Sequence, residues 1–194
     1  MLRCWEPADA PLLKAAVDAS LDELQAWMPW AHRDPEPVEQ KVDLLRRFRG
    51  QFDLGENYVY GILSPDESAV LGGTGLHTGV GDNALEIGYW IRSDRTGEGL
   101  ATEATAALTR VAFEVVEVQR LVVRVDPENR PSLTVPRKLG FVEEGTLRRV
   151  LHGPDGAPGQ RDAVVFALLP EEYPGSPAAS ARVEAFDAAG QRVL

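Results

Sequence analysis

The chain has 194 residues, 44% of them hydrophobic, and a formal charge of −10. That is enough chain for a full core without metals or cross-links, and the lone cysteine, Cys4, can form no internal disulfide and matches no metal-ligand spacing. The acidic balance argues against nucleic-acid binding; it is compatible with a cationic, amine-bearing partner and equally with plain solubility.

Leu2 to Trp5 read as a first strand, and Pro7-Ala-Asp-Ala-Pro open a helix to about Ala19. Leu21 to Trp27 and Pro37 or Val38 to Phe52 read as further helices. Tyr58 to Leu63, Ala69 to Leu76 and Ala84 to Ile91 then follow as successive antiparallel strands, separated by turn-forming Ser64-Pro-Asp-Glu-Ser and Thr78-Gly-Val-Gly-Asp-Asn.

Thr96-Gly97-Glu98-Gly99-Leu100-Ala101 turns the chain into a helix reaching about Val116. Leu100, Ala104, Leu108, Val111 and Val115 make its core-facing stripe, with Thr102, Glu103, Thr109 and Arg110 mostly outside it. Glycines let a backbone approach an anion closely, and the first turn of a helix offers unpaired N–H groups and partial positive charge. Phosphate is the natural guest, although many such turns bind nothing.

Arg120 to Asp126 reads as a buried parallel strand, followed by Asn129-Arg-Pro-Ser132 and a short helix ending at Leu139-Gly140-Phe141. Phe141 to Leu151 and Arg161 to Leu169 complete a late hairpin across a flexible loop of residues 152–159. The predicted class is a mixed α/β sheet, mostly antiparallel, with flanking helices. Residues 1–170 form the expected main domain. Pro174 to Ser180 reads as a linker, and the rest as a small hairpin through Asp187-Ala-Ala-Gly190. That hairpin docks on its own domain or on a neighbouring subunit in a homodimer, or it frays. The longest apolar run, Ala163 to Leu169, is too short to span a bilayer, and the first residues lack a signal core. A cytoplasmic address without a membrane role is expected.

Residues 84–102 and 120–148 together resemble the GNAT superfamily of acyl-CoA-dependent N-acyltransferases, in particular its branch that acetylates ribosomal-protein N-termini (RimJ/RimL-type). The resemblance implies the GNAT fold, with a V-shaped splay between the two central strands, and acetyl-CoA as cofactor. It lays the pyrophosphate motif on Thr96, Gly97, Gly99, Leu100 and Ala101, and a second cofactor motif on Asn129, Ser132 and Lys138 to Phe141. Thr96 stands where Arg or Gln is usual, Arg95 lies one residue earlier, and Glu98 takes a commonly basic place and is expected to point outward. Pro136 inside the second helix removes a backbone donor and should kink it.

Acyl transfer to an amine needs a proton acceptor, an oxyanion donor and a proton for the departing thiolate. Glu86 is the candidate base, an isolated carboxylate in an apolar strand where burial raises proton affinity and one water could relay the proton; its bland reading is a hydrogen-bonded structural glutamate. By resemblance Ser132 is the acid, because the tyrosine many relatives carry further along the helix is missing from Val135 to Gly140. Asn129 holds pantetheine or a backbone group, and Asn and Ser before a helix also serve as ordinary caps. A backbone N–H at the strand end from Tyr89 through Ile91 to Arg92 is the expected oxyanion donor.

Trp27, Trp30 and His32 resemble the aromatic loop lining the acceptor pocket of this branch, with Tyr89 or Trp90 reaching the same cleft. His77 is a possible second base or a satisfied sheet histidine, and His152 is a loop residue. An α-amine, with an ordinary pKa near 7.7 to 8.0, is neutral far more often at pH 7 than a lysine near 10.4, which favours a peptide or protein N-terminus as acceptor. Small-molecule amines come next, and a non-catalytic acyl-CoA sensor is a rival class. A dinucleotide oxidoreductase fits poorly, because Thr102 replaces the third glycine of that fingerprint and βαβ units are too few.

Overall fold

Apolar alternation from Tyr58 to Ile91 builds the middle of a seven-stranded sheet in the computed structural model, which describes residues 1–153 and 157–194. The strands are β1 (Leu2–Cys4), β2 (Tyr58–Leu63), β3 (Val70–His77), β4 (Ala84–Ile91), β5 (Arg120–Val125), β6 (Val142–Leu151) and β7 (Arg161–Leu168), in the spatial order β1-β2-β3-β4-β5-β7-β6. The helices are α1 (Ala10–Asp18), α2 (Leu21–Trp27), α3 (Val38–Asp53), α4 (Leu100–Glu114) and α5 (Arg130–Lys138). The expected mixed, mostly antiparallel α/β class is the observed one, with β4 and β5 as its parallel pair.

That pair holds for three positions, Ala84 to Glu86 against Arg120 to Val122. Both strands run on, β4 to Ile91 and β5 to Val125, without pairing further, so they splay apart. The antiparallel ladder sends the Arg92 N–H to the Leu71 carbonyl at 2.9 Å on the β3 side. Alternation then turns the N–H groups of Ile91 and Tyr89 towards the opened edge.

Helices cover both faces. Leu85, Ile87, Leu121, Val123, Phe166 and Leu168 pack against α4 and α5, while Trp5, Leu13, Val17, Leu45 and Val70 form a second cluster with the N-terminal helices. Each such fully buried aliphatic side chain contributes about 1.5–3 kcal/mol from leaving water. The stripe of α4 differs from expectation: Ala104, Thr105, Leu108, Thr109 and Ala112 are buried, whereas Val115 is exposed. Thr109 can turn inward because its hydroxyl donates to the Thr105 carbonyl at 2.7 Å, satisfying the polar atom within the helix.

Within the expected loop, residues 154–156 lie outside the described residues. Beyond β7 the chain turns back over α4. Tyr173 stacks on Phe113 with ring centroids 4.7 Å apart, Ala178 is buried, and Arg110 donates to the Ala181 carbonyl at 2.8 Å. The stretch read as a linker is thus packed against the helix. Phe186 and Arg192 form an antiparallel bridge, with Gly190 at φ 74° in the turn between them.

Candidate active site

The two faces of β4 separate the site residues. Glu86 and Trp90 share a face with His77, which lies opposite Glu86 in the β3–β4 register. Leu85, Ile87 and Tyr89 point to the other face, towards α4 and α5. Of the two residues read as alternatives for the acceptor cleft, Trp90 lies on the face of Glu86 and His77 and Tyr89 on the other, because a strand's two-residue period puts neighbours on opposite sides. The Tyr89 hydroxyl donates to the Ser132 carbonyl at 3.1 Å and accepts from Ser132 Oγ at 3.0 Å. Burial pushes the phenol up to about 12 against the lowering effect of the Ser132 bond, so it stays protonated at neutral pH.

Glu86 is not the isolated carboxylate expected. Arg124, two residues past the last paired position on β5 and on the same face, donates from Nε to Oε1 at 2.9 Å and from Nη2 to Oε2 at 2.6 Å. The two-point contact engages both carboxylate oxygens. His77 is half-buried, and its Nδ1 lies 3.0 Å from Asn57 Oδ1. With the amide oxygen as acceptor, Nδ1 carries the proton and Nε2 keeps its lone pair. Burial lowers His77 below the usual histidine range, against the opposing pull of Glu86. The ring lies over Gly75 and Gly88, and a Cβ at Gly75 would sit 2.9 Å from Nε2.

Beside this group Trp90 meets Trp30 edge to face, centroids 5.9 Å apart, and Arg161 lies 5.5 Å over the Trp27 ring. Arg161 also pairs with buried Asp126 at 3.0 Å and donates to the His152 carbonyl at 2.7 Å. His32 sits on the same 3₁₀ turn as Trp30, Pro29–Arg33, with its Nε2 enclosed and lacking a hydrogen-bond partner among the described residues. Trp27, Trp30, His77 and Trp90 thus come to one side of the sheet, with Glu86, Arg124, Asp126 and Arg161.

The glycine turn lies at the end of β4. Gly97 and Gly99 have φ of +80° and +88°, and a Cβ on either would meet nothing within 4 Å, so the backbone faces open space. Gly99 is the N-cap of α4, and no side chain among the described residues caps that end. Glu98 is exposed, its carboxylate held by Arg95 at 2.8 Å on both oxygens, which also lowers its proton affinity. The Thr96 hydroxyl is spent on the Ser93 carbonyl at 3.0 Å, and Arg92 pairs with Asp94 at 2.9 Å. Ile91 and Leu100 pack into a small apolar cluster with Ile62, Leu71 and Ala104. Ser93 N–H donates to Ser20 Oγ at 3.0 Å, tying the turn to the corner between α1 and α2.

Asn129 Oδ1 accepts from the Ser132 N–H at 3.2 Å and so caps α5. Helix α5 continues through Pro136 to Lys138.

Residues 1–142 match the family model described as an acetyltransferase (GNAT) domain. The chain belongs to the GNAT acetyltransferase family. The [ribosomal protein uS5]-alanine N-acetyltransferase of Escherichia coli (strain K12) is 28% identical over 159 residues, 78% of each chain. An N-acetyltransferase of Bacillus licheniformis, itself uncharacterized, is 30% identical over 140 residues, 71% of this chain and 76% of its own. The solved structure of Mycobacterium smegmatis RimJ in complex with CoA-disulfide superposes with a TM-score of 0.80 at 32% identity, covering 92% of this chain and 85% of that one.

In this GNAT acetyltransferase the turn meets the needs of a diphosphate: open left-handed glycines, an uncapped helix end, and a neighbouring carboxylate already neutralised by Arg95. Three relationships escape the sequence reading. The Glu86–Arg124 pair had a signal, a charged residue in an otherwise apolar strand; so did the facing of Tyr89, in strand alternation. The Tyr89–Ser132 contact across the splay has no local signature.

Proposed function

We propose that this GNAT acetyltransferase moves an acetyl group from acetyl-CoA directly to the α-amine of a protein or peptide N-terminus, a ribosomal protein being the favoured acceptor. The observation that carries the reading is the arrangement around the splay: open amides from Gly97 to Ala101 at one end, Ser132 across the gap, and the Glu86–His77 pair on the other face of β4. Acetyl-CoA supplies the activated acyl carbon and a thiolate leaving group.

Main-chain amides of residues 97–101 hold the diphosphate, with Thr96, Leu100 and Ala101 shaping the turn and Ile91 and Arg92 flanking it. The N–H groups of Tyr89 and Ile91 face the opened edge and supply the oxyanion donor. Ser132 Oγ holds the proton for the departing sulfur, and Asn129 fixes the helix end that carries it. Glu86 accepts the amine's proton through one water. Trp27, Trp30 and Trp90 wall the acceptor cleft, and an N-terminal amine suits it because about a tenth of such amines is neutral at pH 7, far more than of lysine side chains. The relatives named for ribosomal-protein acetylation support this acceptor, and a cytoplasmic address goes with it.

A second reading places the amine's proton on His77. Its Nε2 has no hydrogen-bond partner among the described residues, while both Glu86 oxygens are engaged by Arg124.

Calorimetry with acetyl-CoA and with CoA tests the cofactor half, and both should bind. Thiol release with peptides bearing free or blocked N-termini, against polyamines and free lysine, tests the acceptor half. Turnover restricted to free N-termini is expected; equal turnover of the small amines would overturn the acceptor assignment, and binding without turnover of any amine would favour a sensor.

A further inference from the structure

Pro136 lies inside α5 and has no backbone N–H to give, so the carbonyl four residues earlier lacks its helical partner. That carbonyl belongs to Ser132, and the Tyr89 hydroxyl donates to it at 3.1 Å. A carbonyl can only accept. The Tyr89 proton is therefore committed there, and the second contact, 3.0 Å between Ser132 Oγ and the phenol oxygen, must have the serine as donor. One phenol thus grips both oxygens of residue 132, while Asn129 Oδ1 takes its N–H at 3.2 Å.

We infer that Tyr89 is a positioning residue for Ser132, and that Pro136 provides its anchor by withholding the backbone donor that the Ser132 carbonyl would otherwise meet four residues on. The inference rests on the reading of Ser132 as the proton donor to the leaving sulfur. A free serine hydroxyl samples three rotamers, and only a fixed Oγ has a constant place relative to the reacting carbon. Tyr89 stands on β4 and Ser132 on the helix that follows β5, so the contact spans the gap where those strands part. It sets the distance between the serine and the strand edge whose amides face the opening. The phenol remains protonated, since burial keeps it up at about 12; it fixes the place of Oγ, whose own proton turns from the phenol oxygen to the sulfur as the thiolate leaves, and the serine regains a proton from solvent water.

The test is a steady-state comparison of Tyr89→Phe, Pro136→Ala, Ser132→Ala and the Tyr89→Phe/Ser132→Ala double variant, with thermal melts of each. Tyr89→Phe should lower kcat about tenfold while leaving the acetyl-CoA KM nearly unchanged. Added to Ser132→Ala, it should cost nothing further. Pro136→Ala restores an amide that competes for the Ser132 carbonyl. It should slow turnover severalfold while the Tm stays level or rises, because alanine suits a helix better than proline. Normal turnover in Tyr89→Phe, or an equal loss when it is added to Ser132→Ala, would overturn the positioning role while leaving Ser132 as acid. Normal turnover in Ser132→Ala would instead remove the acid reading itself, and the proposal with it.

Discussion

Glu86 and Arg124 meet by both oxygens and two guanidinium nitrogens across the last paired position of the parallel β4–β5 ladder, where the strands begin to part. The ion pair closes the floor of the splay on the face carrying His77 and Trp90. Both Glu86 oxygens already have a partner, so an incoming water or amine must share them with Arg124.

Glu86→Gln and His77→Gln separate the two candidate bases. If Glu86 accepts the proton, its variant loses about 100-fold in kcat with unchanged acetyl-CoA affinity, and the His77 variant loses far less. The reverse ranking assigns the proton to His77. Full activity in Glu86→Gln would take the carboxylate out of the mechanism.

Gly99→Val should weaken CoA binding about tenfold or more, because a β-branched residue resists a φ of +88° and the turn must shift to relieve it. Room is not the obstacle, since the added Cβ meets nothing within 4 Å. Isothermal titration with CoA reads the effect, and wild-type affinity would contradict a phosphate turn at the head of α4.

The elements most readable in the sequence are those whose pattern is local. Strand β4 begins and ends where Ala84 and Ile91 bound an apolar run, and Leu21–Trp27 emerges as α2 at both ends. The glycine turn is equally legible, because positive φ leaves its mark on residue type. Less legible are features that depend on register. Arg124 reaches Glu86 only because Val122 lies beside it, and that requires knowing that β4 and β5 run parallel. Pro136 is readable as a lost donor, but the phenol that answers its orphaned carbonyl arrives from residue 89. Thr109 misleads the helical stripe for a similar reason, since its hydroxyl is satisfied by the turn before it.

His77 gives stability a pH dependence of definite sign. Its folded-state pKa lies below the ordinary value of about 6.5, so the unfolded chain binds more protons between those limits. The stabilisation is complete above that ordinary value and is lost as pH falls through the folded one. Replacing His77 with Gln removes this contribution. The drop in Tm from pH 7.5 to pH 5 should be smaller in the variant than in the parent, and an identical drop would show that His77 does not titrate on unfolding.

Lys41 supplies the final prediction. Its side chain is 2% exposed and lies 2.5 Å from Asp34 Oδ1, itself 1% exposed, and 2.9 Å from Glu36 Oε2. The ammonium joins α3 to the segment after the 3₁₀ turn that carries Trp30, so one buried cation fixes the wall of the proposed acceptor cleft. Lys41→Met keeps the packing volume but leaves two carboxylates without their cation, which should cost about 3–5 kcal/mol of stability. Urea titration would show a lower midpoint with an unchanged slope. Adding Asp34→Asn should recover part of the loss, because less unpaired charge remains enclosed. Since Trp30 packs on Trp90 at 5.9 Å, tryptophan emission of the folded Lys41 variant should shift as the loop loosens, and the acceptor KM should rise while that of acetyl-CoA does not. A destabilised variant with an unaltered acceptor KM would confine Lys41 to holding the fold.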